Sequence, residues 1–195
     1  FDSRVPMAVA FVMLAISLSL IGFSSNTFML VVSICLLAFS FRILNIAMNT
    51  QAIKLQKSFD RKINGSFHGL WSTGGIVGVG FSTMLVAMDV SIGFHLLLVS
   101  IVTLGATLFS YKFLITNDKP TSGNKLILSK PDPYIVYLGL LIFFASICEG
   151  GMFDWSGVYF REVVKVELFT LGYLIFMIFM AISRFASDRL VERIG

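Results

Sequence analysis

Charged side chains are scarce in this sequence. Only 13% of its 195 residues are Asp, Glu, Lys or Arg, whereas 56% are hydrophobic and the mean hydropathy is +0.88. Because a soluble domain carries roughly 25% charged residues, the composition excludes an ordinary water-soluble fold. The net charge of +4 does not indicate nucleic-acid binding, since the basic residues form short clusters between long apolar runs, which is typical of a membrane protein.

Cysteine and histidine are also rare, with two residues of each. Cys35 and Cys148 both lie in apolar runs, so we expect small buried side chains rather than a disulfide or metal ligands. The sequence has no HExxH motif, no cysteine cluster, no G-x-S-x-G motif and no phosphate-binding loop. These absences predict a protein that is not an enzyme and that has neither a cofactor nor a metal site.

Long runs without charge predict transmembrane helices. Residues 5–41, 63–88 and 90–111 carry no charged side chain, and the polar stretch 22–26 divides the first run in two. A span needs about 20 apolar residues, and in lipid only a helix or a closed barrel satisfies the backbone hydrogen bonds. The prediction is an all-α membrane protein with six transmembrane helices, at about 5–21, 27–51, 66–88, 92–111, 133–160 and 168–183.

The basic residues predict the orientation of these helices. One side of the membrane would carry twelve of the 15 Lys and Arg residues and the other side two, so both ends of the segment are expected in the cytoplasm. The polar stretch 116–132 is predicted to be a cytoplasmic linker. It would divide a bundle of four helices (1–115) from the start of a second bundle (133–195). We expect the chain to be part of a longer protein and its first predicted span not to be a cleaved signal peptide.

The stretch that follows the sixth predicted span resembles a known motif. It reads Arg184-Phe-Ala-Ser-Asp188-Arg189-Leu-Val-Glu-Arg193. We predict a loop there, similar to the signature loop G-x-x-x-D-R-x-G-R-R that follows the second helix of each six-helix half in the major facilitator superfamily. The resemblance implies a twelve-helix fold, of which this chain covers helices three to eight. It also implies that Asp188 caps a helix end and pairs with basic residues to form a cytoplasmic gate with Arg184 and Arg189. The alternative is ordinary charge that sets the topology.

Two further stretches are similar to one branch of that superfamily. Asn45-Ile-Ala-Met-Asn49-Thr-Gln51, with the glycine-rich segment 65–75, looks like the fourth and fifth helices of fucose-permease-like bacterial members. The segment Glu149-Gly-Gly-Met-Phe-Asp154-Trp155 resembles their seventh helix. This resemblance implies a bacterial inner-membrane protein and a sugar–proton symporter.

One face of the second predicted helix is polar. Arg42, Asn45 and Asn49 are spaced i, i+3 and i+7, so they share a helical face. A charge inside the hydrocarbon is costly and normally faces protein or a water-filled cavity. We predict that this face lines the substrate path. The alternative is that these side chains bond to neighbouring helices.

Glu149 is the strongest candidate for a charged residue with a function in transport. It ends the uncharged run 133–148 and is followed by Gly150 and Gly151, which weaken the helix. Broken helices in transporters expose backbone groups to substrates and ions. A carboxylate in a low-dielectric site can bind and release a proton near neutral pH, so Glu149 is predicted to couple protons. The alternatives are a fixed ion pair, for example with Arg42, and a position at the outer surface.

Asp154 and Trp155 are predicted near the outer end of the same helix. Trp155 would either anchor the helix at the membrane interface or stack on a sugar ring at the mouth of the cavity. In the third predicted helix, Gly74 and Gly78 have the GxxxG spacing that permits close helix contact.

The function predicted from these observations is secondary active transport of a small polar solute, either a sugar or another metabolite, by alternating access. The expected partners are the solute, protons, the lipid bilayer and the remaining helices of the full-length chain, and no nucleic acid. A membrane receptor or scaffold that keeps the fold without transport is the alternative.

Overall fold

The computed structural model describes residues 2–116, 131–166 and 171–194. All regular structure in these residues is helical, as predicted. The helices are α1 (Arg4–Gly22), α2 (Thr27–Gln56), α3 (Asn64–Ala87), α4 (Ile92–Tyr111), α5 (Pro133–Tyr159) and α6 (Leu171–Ile194). A π-helical turn, Phe160–Val164, continues α5. Within the described residues, five helices (α1 to α4, and α5 with its π-turn) are long and apolar enough to cross a membrane.

Helix α6 departs from the sequence prediction. Residues 184–194 are helical, so Arg184, Asp188 and Arg189 lie on a helix and not in a loop. The stretch contains no glycine or proline that would end a helix. The charges therefore mark the point at which the apolar part of α6 ends, while the helix itself continues.

Local signals set several of the helix ends. The Asn26 side chain accepts a hydrogen bond from the Met29 amide at 2.8 Å and caps α2. The Asp132 side chain caps α5, whose first residue is proline. Helix α2 runs to Gln56 rather than ending at 51. Most of the predicted linker, residues 117–130, lies outside the described residues.

The helices pack in two groups. Helix α1 lies against α2 and α4, while α3 lies against α6, which also contacts the second half of α5. At the seam of α1 and α4, the Ser100 hydroxyl donates to the Ala15 carbonyl oxygen at 2.9 Å. The Gln51 side chain donates to Ser3 at 2.7 Å and accepts from the Ile115 amide at 2.9 Å, which joins the end of α2 to the residue before α1 and to the segment after α4.

Most of the basic residues of the described structure lie at one end, which we call the basic end. It is formed by the start of α1, the end of α2, the start of α3 and the end of α6, and these are joined by hydrogen bonds of Gln51, Gln56 and Asp188. Cys35 and Cys148 are exposed on the helix surfaces, so the expectation that they are buried is wrong. An apolar run can face lipid as readily as it can face a core, because both surroundings are apolar.

Candidate functional site

Helices α3 and α6 approach each other closely toward the basic end. A Cβ atom at Gly69 would lie 2.9 Å from the Phe185 ring, and one at Gly75 would meet the end of Met177, which is 1% exposed. At Gly74 and Gly78, by contrast, no described atom lies within 4 Å of an added Cβ. Among the described residues, the close contact that the spacing of Gly74 and Gly78 permits is not made. Gly65 and Gly69, which have the same spacing about two and a half turns earlier, make a close contact with α6 instead.

The Asp188 carboxylate caps the start of α3. One carboxylate oxygen accepts from the Gly65 amide at 2.7 Å, and the other accepts from the Ser66 amide at 2.7 Å and the Ser66 hydroxyl at 2.6 Å. These amides have no partner inside their own helix, and the positive end of the helix dipole favours an anion there. The capping that the resemblance implied is thus present in the geometry. Among the described residues, Asp188 forms no ion pair with a basic side chain, and Arg189 is exposed.

The same bonds act on the pKa of Asp188. Burial on its own raises this pKa, but the hydrogen bonds from Ser66 and Gly65 outweigh burial and hold the pKa below the ordinary Asp value. A carboxyl group whose pKa is lower in the folded state stabilises that state above its unfolded pKa. The stabilisation is lost as the pH falls through the folded pKa. The Asp188 cap is therefore intact at and around neutral pH.

Arg184 connects three helices, and we call this arrangement the Arg184 hub. Its Nη2 donates to Glu149 on α5 at 3.0 Å, and its Nη1 donates to the Ser72 hydroxyl on α3 at 2.8 Å. Nη1 also lies 3.4 Å from the His68 carbonyl oxygen, and the guanidinium stacks 5.3 Å from the centre of the Trp71 ring. This planar group with several donors can serve all these partners at once.

The hub changes the interpretation of Glu149. Its carboxylate is in an ion pair, as one of the alternatives held, but the partner is Arg184 rather than Arg42. The two side chains are 34% and 23% exposed, so water reaches both. Arg184 stands where the superfamily motif commonly has a small residue, which was the signal in the sequence that could have indicated this contact.

Aromatic side chains surround the hub, and sequence reasoning gave them no role. The Phe153 ring lies 6.0 Å from Trp71, 5.5 Å from Tyr173 and 5.6 Å from Phe176, measured between ring centres. These four residues, which we call the aromatic cluster, join α3, α5 and α6 beside the ion pair. The spacing of Tyr173 and Phe176 on one face of α6 was the available signal.

The remaining predicted site residues do not contact the Arg184 hub. Arg42 and Asn49 are exposed on the face of α2 that points away from α1, and Asn45 bonds only weakly to the Phe41 carbonyl oxygen of its own helix, at 3.5 Å. Trp155 is 67% exposed and does not take part in the aromatic cluster. Asp154 is exposed as well and lines a cleft between α5 and α6.

A cleft of about 490 Å³ adjoins the hub at the basic end, where Lys62, His68, Arg184 and Asp188 contribute to its walls. In the part of the chain that the structure describes, no group of three or more His, Cys, Asp or Glu side chains is arranged to hold a metal ion. The site can hold two helices together through charge-dependent bonds, with solvent access to the charged groups.

Known proteins resemble this chain along nearly its whole length. It is 26% identical to an uncharacterised MFS-type transporter of Yersinia pestis, covering 98% of this chain and 50% of the relative. An uncharacterised transporter of Sinorhizobium fredii is 27% identical, over 92% of this chain and 48% of its own. The membrane protein MosC of Rhizobium meliloti is 26% identical, over 92% and 44%.

The chain thus spans about half the length of the curated relatives it matches. No solved structure matches it significantly. The family model described as Major Facilitator Superfamily matches residues 1–195. A multi-pass bundle of apolar helices, matched by this model from the first residue to the last, belongs to the Major Facilitator Superfamily of membrane transporters.

Proposed function

We propose that the full-length protein is a secondary active transporter that moves a small polar solute across a bacterial inner membrane by alternating access. This chain would supply helices three to eight of twelve, with α1 to α4 in one bundle and α5 and α6 in the other. The observation that carries the proposal is the Arg184 hub, because it bonds α3 of the first bundle to α5 and α6 of the second.

The contact between the bundles lies toward the basic end. Asp188 and Arg184 bond to residues 65–72 of α3, whereas nearer the other end the Ser82 hydroxyl of α3 shares a hydrogen bond of 2.9 Å with His95 of α4. The basic residues favour a cytoplasmic location for this end. The arrangement therefore suits a state in which the cytoplasmic side is closed and the opposite side gives access to the solute.

Proton binding to Glu149 would control this contact. A protonated Glu149 no longer balances the charge of Arg184, so the Arg184 hub weakens and the Asp188 cap is left as the main bond between α6 and α3. In this scheme a proton and the solute enter from the outside, the cytoplasmic side opens, and release of the proton re-forms the ion pair. Arg42, Asn45 and Asn49 would line the solute path from the exposed face of α2.

Replacing Glu149 by glutamine should separate accumulation from exchange. Glutamine keeps the size and the hydrogen bonding of the protonated side chain but cannot release a proton. In proteoliposomes with the full-length protein, uptake driven by a pH gradient should fall to the equilibrium level, while exchange at equal solute concentrations should persist. Both are measured with the same radiolabelled solute.

Glu162→Gln is the matched control, because Glu162 is exposed and pairs with its neighbour Arg161. It should leave uphill uptake unchanged. Normal uphill uptake by Glu149→Gln would remove Glu149 from the coupling mechanism. Loss of uptake, exchange and expression together would mean that the ion pair is structural. A receptor or scaffold with this fold would bind the solute without accumulating it in any variant.

The orientation has its own test. Single cysteines at residues 60 and 122 of a full-length protein without Cys35 and Cys148 should react with an impermeant maleimide only after the cells are opened. A cysteine at residue 164 should react in intact cells. Labelling of residue 122 from outside would reverse the proposed orientation.

A further inference from the structure

A second cleft lies between α5 and α6, on the far side of the aromatic cluster from the basic end. Its volume is about 310 Å³, which is at the lower end of the roughly 300–1,000 Å³ of small-molecule sites. The π-helical turn Phe160–Val164 packs on the start of α6 beside this cleft, where an added Cβ at Gly172 would contact the Phe160 ring. Such turns occur frequently at functional sites.

The cleft carries one negative charge that no described side chain balances. Asp154 and Arg161 are the charged residues that contribute to its walls. The Arg161 Nε donates to the Glu162 carboxylate at 2.8 Å, so this guanidinium already has its counter-charge. Asp154 forms no ion pair and no hydrogen bond with the described residues. The free carboxylate indicates a ligand with a positive charge.

The position of Asp154 in the chain supports this interpretation. It lies within Pro133–Val164, which is long and apolar enough to cross a membrane. A carboxylate in such a segment is costly, and it normally pairs with an opposite charge or faces a path for ions or substrates. A cationic ligand would supply the charge that the described residues do not.

Ser156 is a second polar group of this cleft without a partner. The residue is 6% exposed, and its hydroxyl has no hydrogen-bond partner among the described residues. Buried serines elsewhere in the chain donate to the carbonyl oxygen four residues earlier, as Ser33 does to Met29 at 2.7 Å, but Ser156 makes no such bond to Met152. A buried hydroxyl without a partner is costly. A ligand with an N–H group would remove this cost by donating to the Ser156 oxygen.

The oxygen atoms of the cleft are too few for a bare metal ion. A hard cation such as Ca²⁺ takes about six to eight oxygen ligands, whereas the side chains of the cleft offer the Asp154 carboxylate and the Ser156 hydroxyl. The Tyr173 hydroxyl is directed toward α3, since it lies 3.8 Å from the position of an added Cβ at Gly75. A nitrogen cation, which needs only a few acceptors, suits this site better.

The aromatic part of the wall narrows the class further. The Phe153 and Tyr173 rings contribute to the cleft, with their centres 5.5 Å apart and a tilt of 41° between them. Aromatic rings attract ammonium groups and also pack against apolar carbon atoms. A primary ammonium group has N–H donors for both Asp154 and Ser156, while a quaternary ammonium group has none.

We propose that the cleft between α5 and α6 binds a small primary amine in its protonated form, which is the form of an alkyl amine at neutral pH. Asp154 balances the charge and accepts one N–H bond, and Ser156 accepts another. The Phe153 and Tyr173 rings contact the carbon atoms of the amine. The assignment to transport rests on the proposed function: if that function is right, an amine of this class is the transported solute.

Calorimetric titration of the full-length protein in nanodiscs tests this directly. The amine probes are ethanolamine, putrescine and phenethylamine, and each is compared with its neutral hydroxyl analogue, which is ethylene glycol, butanediol or phenethyl alcohol. At least one amine should bind saturably and at least about tenfold more tightly than its analogue, since a hydrogen bond to a charged group contributes more than the free energy of a tenfold change in affinity. Equal binding of the amines and their analogues, or binding of none of the amines, would overturn the proposal.

Charge variants place the binding in the cleft. Asp154→Asn should weaken amine binding at least about tenfold and remove the preference over the hydroxyl analogue, while Asp154→Glu should keep that preference. Asp89→Asn is the matched control with the same change of charge. Asp89 is exposed between α3 and α4, and its φ of 54° is one that asparagine tolerates. Equal losses of affinity in Asp154→Asn and Asp89→Asn would show that the amine binds elsewhere.

Ser156→Ala gives an independent readout. It should weaken amine binding by roughly 3- to 10-fold, the usual effect of losing one hydrogen bond. The thermal midpoint of the protein without amine should stay the same or rise, because the change removes a hydroxyl that has no partner. A lower midpoint with unchanged affinity, or failure of Asp154→Asn to fold, would show that another part of the full-length chain bonds to these groups. Either result would overturn the proposal.

The outcomes also separate this proposal from the proposed function. Binding of an amine in the cleft without its uptake into proteoliposomes would leave the cleft assignment intact and refute transport. Uptake of a solute with an unchanged KM in Asp154→Asn and Ser156→Ala would leave transport intact and refute the cleft assignment.

Discussion

An alanine at position 65 should push α6 away from α3. The added methyl group would lie 2.7 Å from the Arg184 carbonyl oxygen and 2.7 Å from the Asp188 carboxylate, and it would also contact Ser187. A backbone carbonyl cannot move without its helix, so the bonds from Asp188 to the start of α3 would break. Overpacking of this kind costs about 1–3 kcal/mol, and each lost hydrogen bond to a charged group costs about 1.5–3 kcal/mol.

Disulfide formation between cysteines introduced at positions 62 and 192 measures how closely α6 approaches the start of α3. The Lys62 amide donates to the Glu192 side chain at 2.9 Å, so these positions are close when α3 and α6 are in contact. Gly65→Ala should reduce cross-linking at least tenfold, because 1.4 kcal/mol already corresponds to a tenfold change in an equilibrium.

Gly78→Ala provides the matched control on the same helix. No described atom lies within 4 Å of a Cβ at that position, and alanine favours a helix over glycine by about 1 kcal/mol. This variant should cross-link normally and be as stable as the parent or more so. If the two alanine variants behave alike, the close approach of α3 to α6 at Gly65 does not exist in the full-length protein.

Loss of the Arg184 side chain should be the most damaging single change among the charged residues. Arg184→Ala removes the ion pair, the bond to Ser72 and the stacking on Trp71, and it leaves Glu149 without a partner. Breaking a fully buried pair costs about 3–5 kcal/mol. Because this pair is partly exposed, we expect a smaller loss of about 2 kcal/mol, together with loss of uphill uptake. Arg184→Lys should recover only part of the stability and of the uphill uptake, since lysine lacks the planar guanidinium group with its several donors.

A double-mutant cycle measures the pair itself. The free energy of unfolding or a thermal midpoint is compared for Arg184→Gln, Glu149→Gln and the double variant in the full-length protein. The double variant should be less destabilised than the sum of the single variants by about 0.5–3 kcal/mol. Strictly additive losses would mean that Arg184 and Glu149 do not interact.

The candidate site was only partly predictable. Glu149 stands out in the sequence because it interrupts a long uncharged run, but its partner Arg184 is 35 residues away on another helix. The capping role of Asp188 came from resemblance to a motif, and the amides that it accepts from belong to residues 65 and 66, more than 120 positions earlier. Trp71 and Ser72 have no local sequence feature that indicates a function, and Tyr173 is indicated only by its spacing from Phe176 on one face of α6. They become a site only because three helices converge on them.

Local chemistry determined the class of this protein from its sequence alone. Apolar runs of about 20 residues must be helical in lipid, so the approximate positions of α1 to α5 follow from the charges and from the polar stretch 22–26. The C-terminal end of α6 does not follow from the charges, because a charge ends an apolar segment without ending a helix. Only the tertiary structure decided which polar groups meet, that Gly65 and Gly69 rather than Gly74 and Gly78 allow the close contact, and that Glu149 pairs with Arg184 rather than with Arg42. Those outcomes depend on how helices far apart in the chain rotate and cross, and no local pattern specifies that rotation.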